Sequence, residues 1–311
     1  MSLLQGLESV RKQPDTGPMA QQISPAFWEL LPRLRYEPTP RRIRAQLGGN
    51  TVVDSMDAYL VFEPRRVTPV YAVPARDISA ELKAHDAGPH WEDPLAGVPP
   101  NALMDPRYPF SAHTAPGQPL DLQAGSHGLP GAGFRPDDPD LADYVVLDFD
   151  AFDTWFEEDD EIRGHPRDPF HRVDARQSSR AVRVHLGGQL LAETHQPLFV
   201  YETMLPARTY FPREDVDWDA LGASRTRSVC PYKGTASYWS VTGSPEGRDL
   251  AWSYESVLPD STQLKDRVAF FDERTDVYVD GAKQEISSLF RFSVHGCAWA
   301  DLPVSPAMLT A

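Results

Sequence analysis

Arg180-Ala181-Val182-Arg183-Val184-His185-Leu186-Gly187-Gly188 alternates apolar and polar residues and runs into a double glycine. It has a near twin earlier in the chain, Arg41-Arg42-Ile43-Arg44-Ala45-Gln46-Leu47-Gly48-Gly49. Alternation with period two turns one face of a strand to a core and the other to water, and Gly-Gly supplies the positive φ of a tight hairpin turn. Each copy leads into a second apolar segment and then a third extended one, Tyr59 to Phe62 or Leu198 to Tyr201. The spacing between the copies is constant through Glu63 with Glu202 and Tyr71 with Tyr210. After one inserted residue, Pro74 and Asp77 match Pro212 and Asp215. The repeat predicts two tandem, mostly-β domains.

Working outward, Leu250 to Tyr254, Val268 to Phe271 and Asp276 to Val279 read as further strands of the second copy. Tyr144 to Leu147 and Trp155-Phe156-Glu157-Glu158 close the first. Helical periodicity is confined to Ser24 to Arg35. Ala84 to Pro139, rich in proline and glycine, predicts a long irregular excursion. The expected organisation is an N-terminal arm (1–36), a degenerate first β domain (37–162), a connector (163–179), a complete second domain (180–283) and a C-terminal extension (284–311), in which Phe290 to Val294 reads as extended.

Composition bounds the chemistry. With 311 residues, 41% hydrophobic and 24% charged, the chain has the balance of a soluble globular protein. A net charge of -15 argues against a phosphate-backbone partner, so no nucleic acid is expected. No apolar run reaches the length of a membrane span and no signal peptide is visible, so no membrane partner is expected either. Cys230 and Cys297 are the only cysteines, which excludes a disulfide framework or a four-cysteine zinc site and points to a reducing, cytoplasmic compartment.

The chemistry-bearing stretch is Cys230-Pro231-Tyr232-Lys233-Gly234-Thr235-Ala236-Ser237-Tyr238-Trp239. Pro231 fixes φ after the thiol and Gly234 permits a backbone geometry that a side chain forbids, which predicts a defined turn leading into a strand. A lysine beside a thiol stabilises the thiolate, and Arg225 and Arg227 lie just upstream. Cys230 is therefore either a nucleophile or a packed small hydrophobe. Lys233 is either a ligand contact or a partner in an ion pair with Glu202 or Asp215. Tyr201, Tyr210, Tyr232, Tyr238, Trp239, Trp252 and Tyr254 exceed what a small domain needs for packing, and some of them can wall a pocket for a planar ligand or a cation. Glu202, Arg208, Asp215 and Glu273 can supply acid, base or charge pairing around the same turn. Because Glu63 and Asp77 match Glu202 and Asp215 in a copy without the cysteine and lysine, the last two lean toward structural roles. His165-Pro166-Arg167-Asp168-Pro169-Phe170-His171 does not have a tight metal-ligand spacing, and its arginines can line an interdomain cleft.

Taken together, the Gly-Gly hairpin, Glu202-Thr203-Met204-Leu205-Pro206-Ala207-Arg208-Thr209-Tyr210-Phe211-Pro212, Asp215-Val216, Cys-Pro-Tyr-Lys-Gly, Tyr238-Trp239, Ala251-Trp252-Ser253-Tyr254 and Val268-Ala269-Phe270 resemble the family called domain of unknown function 427, sometimes labelled nucleotidyltransferase-like. The resemblance covers about Arg180 to Gly281 and implies small β domains of the β-tent or Mss4-like kind in a tandem arrangement. It implies no established activity. Nucleotidyl transfer usually wants a Gly-Ser turn with paired carboxylates, and Asp148-Phe149-Asp150 has the spacing without the Gly-Ser partner.

The resulting expectation is an enzyme needing no metal and no cofactor, with one working Cys/Lys/aromatic pocket in the second domain. Its ligand is a small molecule, anionic or carbonyl-bearing. Cys230 and Lys233 are the catalytic candidates. Tyr232, Gly234, Tyr238, Trp239, Trp252, Tyr254, Arg208 and Tyr210 are the ligand-binding candidates, with Glu202, Asp215 and Glu273 as acid, base or ion-pair groups. The rivals are a non-catalytic binding module and a structural or interaction protein. Oligomeric state is not readable from the sequence.

Overall fold

The computed structural model describes residues 23–86, 95–98, 103–104 and 108–285. The chain divides into two units, Met1–Leu30 and Leu31–Ala311. In the first, the described residues form helix α1 (Ile23–Leu30). The predicted helix was longer, to Arg35. Pro32 lacks an amide and restricts Leu31, so the helix stops there and Arg35 enters a strand. Among the described residues no helix is long and apolar enough to cross a membrane.

The second unit is mostly β and contains four open antiparallel sheets in two groups. The first group has β1 (Arg35–Pro38), β2 (Ile43–Leu47), β3 (Asn50–Ser55), β4 (Tyr59–Phe62), β5 (Val70–Pro74), β6 (Glu81–Ala84), β7 (Gly117–Ala124), β8 (His127–Pro136), β9 (Tyr144–Leu147), β10 (Thr154–Glu157) and β11 (Asp160–Ile162). The second has β12 (Val173–Gln177), β13 (Val182–Leu186), β14 (Gln189–Thr194), β15 (Leu198–Glu202), β16 (Arg208–Pro212), β17 (Leu221–Cys230), β18 (Gly234–Val241), β19 (Ala251–Val257), β20 (Arg267–Phe270), β21 (Asp276–Val279) and β22 (Ala282–Lys283). The sheet orders β1-β4-β5-β9-β8-β7-β6 and β12-β15-β16-β20-β19-β18-β17 correspond strand for strand. So do the smaller sheets, β11-β10-β2-β3 and β22-β21-β13-β14.

In each group the two sheets enclose a core. One gathers Ile43, Val53, Tyr71 and Trp155, the other Val184, Phe211, Trp239 and Phe270. The same corner bond closes both. Ser55 Oγ donates to Asp77 (2.7 Å) and Thr194 Oγ1 to Asp215 (2.5 Å), while each hydroxyl accepts the amide two residues on. Asp215 is thus a structural acceptor at the end of β14.

Three features differ from the sequence expectation. The stretch between Ala84 and Pro139 contains the long hairpin β7–β8, whose Leu120, Leu122, Ala132 and Phe134 are buried despite the glycines and prolines around them. The connector contributes strand β12, paired with β15. Tyr71 and Tyr210 are not equivalent either: Tyr71 pairs with Leu60, whereas Tyr210 pairs with Leu198, the counterpart of Tyr59. The single-residue slip falls in the loop before β5, not after the tyrosine. With period two, that slip reverses the face: Tyr71 points between the sheets and donates to Glu157 (2.8 Å), while Tyr210 joins the opposite face. The expected strand from Phe290 to Val294 lies outside the described residues.

Replacing Asp77 or Asp215 with Ala should cost about 1–3 kcal/mol in either group, because each leaves a part-buried hydroxyl without its acceptor. Urea unfolding of the two variants, compared with the parent, measures both.

Candidate functional site

Cys230 ends β17 and pairs with Gly234, the first residue of β18, so Pro231-Tyr232-Lys233 forms the turn between them. Gly234 has φ +112°, and a Cβ there would lie 2.1 Å from the Ser256 carbonyl oxygen. That geometry makes glycine obligatory at this position. The turn is tied from outside: the Leu258 amide donates to the Lys233 carbonyl (3.1 Å) and Ser261 Oγ donates to the Tyr232 carbonyl (3.0 Å).

The turn carries Lys233 onto the outer face of the large sheet. There Nζ donates to Glu202 Oε1 at 2.5 Å, and the two side chains are only 12% and 9% exposed. His171 Nε2 meets the other carboxylate oxygen at 3.3 Å. Burial alone would raise the Glu202 carboxyl. The His171 hydrogen bond and the Lys233 charge outweigh burial and hold it down to about 2. Lys233 is raised, because Tyr210 and Glu202 overcome a burial that works the other way. The ion-pair reading of Lys233 therefore holds with Glu202 and not with Asp215, which is engaged at the Thr194 corner.

Tyr210, Trp252 and Tyr254 are buried in this same outer cluster, with Tyr238 and Cys230 packed against it. Trp252 Nε1 donates to Tyr210 Oη (3.3 Å), Tyr238 Oη bonds Ser228 Oγ (2.8 Å), and Lys233 Nζ stands 5.9 Å from the Tyr254 ring centroid. Burial pushes Tyr210 up to about 12. Arg208 makes a two-pronged pair with Glu273 (2.7 and 3.1 Å) and lies over Trp252. Arg208 and Glu273 therefore satisfy one another. Trp239 points the other way, into the core between the sheets against Trp218, because adjacent strand residues face opposite sides. Tyr232 accepts the Asp168 amide at its hydroxyl (2.6 Å), and its ring meets His171. It anchors the preceding segment rather than lining an open pocket. Tyr201 is exposed.

The first group has a counterpart at Glu63. That carboxylate is buried, takes His113 at 3.0 Å, and accepts the backbone amides of Thr114 (2.7 Å) and Ala115 (3.1 Å). Backbone donors thus stand where the second group uses an ammonium.

Open space lies to one side of this arrangement. A cleft of about 610 Å³ is lined by Cys230, Thr235, Ser256, Asp260 and, from the segment around β11, Arg163 and Arg167. Cys230 is half-buried. The arginines of the connector do line a cleft between the groups, but Arg167 is paired with Asp260 and Arg163 with Glu161. Ser256 and Asp260 carried no signal in the sequence; the β18–β19 bulge and the turn after β19 bring them to the side of the thiol. Among the described residues no three His, Cys, Asp or Glu are grouped to hold a metal ion.

Lys233→Met alone should destabilise the protein by about 3–5 kcal/mol, since Glu202 is left buried without its ammonium partner. The double variant Lys233→Met/Glu202→Gln should recover most of that loss in urea unfolding. The folded-state value of Glu202, about 2, lies below its ordinary 4.5. Its contribution is therefore complete above about 4.5 and disappears as pH falls toward 2. Glu202→Gln should flatten the acid-side fall of the unfolding free energy in that window.

No curated protein matches the chain. Residues 174–281 match the model of a family described as Domain of unknown function (DUF427). That span opens within β12 and closes just past β21, enclosing Glu202, Cys230 and Lys233.

Proposed function

We propose that this is a small-ligand-binding protein, built from two tandem β domains, whose cleft lies beside the β17–β18 turn. The observation that carries the reading is the state of Lys233. Its ammonium is held by Glu202 in a buried pair, so it is a brace for the turn and not a free catalytic cation. The thiol three residues earlier lines a cleft of about 610 Å³, a size ordinary for a small-molecule site. The matching strand orders and the paired Ser55–Asp77 and Thr194–Asp215 corners support a tandem origin, with the domains starting at β1 and β12.

The ligand is bound reversibly in this reading, and the anionic preference expected from sequence loses its support. The cations that would take an anion, Lys233 and Arg208, are committed to carboxylates. A second reading, an enzyme with Cys230 as nucleophile, draws on one fact: Arg163 and Arg167 line the same cleft as the thiol.

Iodoacetamide labelling in a Cys297→Ser background separates the two. Cys230 should label without unfolding. Its rate should stay within about twofold in Lys233→Met/Glu202→Gln and in Arg167→Gln, as for a thiol that neither cation activates. A rate that falls by about tenfold in either variant would favour the nucleophile.

A further inference from the structure

Three tyrosines cross the outer face of the first large sheet in a single stack. Tyr36 on β1 lies against Tyr59 on β4 (5.1 Å between ring centroids, 23° between planes), and Tyr59 against Tyr144 on β9 (4.2 Å, 13°). We propose that this row and the aspartates beside it dock an extended, proline-containing basic segment of a partner protein. The surface is separate from the cleft, and the inference does not depend on the reading above.

The fold does not require the row. β5 lies between β4 and β9, and its Ala72, on the same face, is small enough to let the Tyr59 and Tyr144 rings meet across it. By register the counterparts of Tyr36, Tyr59 and Tyr144 in the second group are Ala175, Leu198 and Arg267. A sheet of the same strand order forms there without the stack. Tyr36 stands on an edge strand and is 39% exposed, so the stack ends on a ring with no strand beyond it. The three rings make a ridge that matches one three-residue turn of polyproline II helix, ~9 Å in length. Proline rings pack on aromatic surfaces, and a segment already extended by proline loses little freedom on docking.

The charge beside the row has one sign. Asp137, Asp138, Asp140 and Asp143 fill the short connection from β8 to β9 that leads into Tyr144. Asp138 Oδ1 accepts the Asp140 amide (3.0 Å), and Asp140 Oδ2 accepts the Tyr36 hydroxyl (3.4 Å), which sets two carboxylates at the exposed end of the row. Those donors are neutral, and among the described residues none of the four aspartates is in an ion pair. The Asp140 charge raises the Tyr36 phenol above its ordinary value, so the hydroxyl stays a donor. Arg76, whose charge reaches Tyr144 at the other end, is held by Asp57 at 2.6 Å. An arginine or lysine on the incoming segment would meet carboxylates beside Tyr36 and an open ring face to lie over.

The probe is a fluorescein-labelled nonapeptide of repeating Pro-Pro-Arg, with Pro-Pro-Glu and Ala-Ala-Arg repeats as controls. Each is titrated against the full chain at physiological salt and read by anisotropy. The Pro-Pro-Arg repeat should bind saturably, and each control at least about tenfold more weakly. Tyr36→Ala should weaken the Pro-Pro-Arg repeat by about tenfold, Asp140→Lys by more, and Tyr36→Phe, which keeps the ring, by less than about threefold. Should Tyr36→Ala not fold, Asp140→Lys, at an exposed loop position, judges the surface. Asp219→Asn, an exposed acid of the second group, should leave binding as it was. Equal binding of either control overturns the proposed partner chemistry. A loss in Asp219→Asn as large as in Asp140→Lys means attraction to the net charge of -15 and overturns the surface. Binding unchanged in Tyr36→Ala and Asp140→Lys overturns it too, as does no saturable binding of the Pro-Pro-Arg repeat.

Discussion

A buried ammonium without a counter-charge is among the most costly things a protein can contain, and this fold is arranged around preventing one. Lys233 is brought inward by a turn that only glycine can close, and Glu202 at the end of β15 meets it. An ion pair taken out of water is sustained only where the remaining oxygen and donors are also satisfied. His171 takes the second oxygen and so ties in the segment that precedes β12. Three stretches far apart in sequence are fixed by one carboxylate. The thiol of Cys230 and the aromatic cluster take their positions from that joint.

Glu63 in the first group shows that a buried carboxylate after the corresponding strand can be satisfied without an ammonium. There the chain folds back through Phe110 and His113 to Ala115 and offers a histidine and two amides. The segment that does so also packs apolar atoms on the outer sheet face, alongside Val61, Ala72 and Val146. In the second group the corresponding face is covered by Tyr210, Trp252 and Tyr254. Two groups of equal strand order thus differ mainly in what lies over one face.

The hairpins were legible because period-two alternation running into Gly-Gly has few other solutions. The turn at Lys233 was legible for a similar reason, with proline and glycine marking its two ends. Other features were not. Strand β12 pairs with β15 across the whole β13–β14 hairpin, and nothing local in Val173 to Gln177 announces that partner. The β7–β8 hairpin was hidden by its glycines and prolines, although Leu120 and Leu122 keep the alternation. Tyr210 seemed to have a twin in Tyr71 because identity of residue type suggested equivalence, while the sheet register decides it. Trp239 could have been separated from Tyr238 by alternation alone. The cleft was out of reach, since its walls meet only after β11 and the β17–β18 turn come together.

His171 precedes the first residue of the DUF427 match, and β11, which borders the cleft, lies further upstream still. A fragment cut to residues 174–281 would keep the lysine, the glutamate and the thiol, yet it would expose one oxygen of the carboxylate and open the cleft on one side. The unit that sequence comparison matches is therefore smaller than the unit that encloses the cleft.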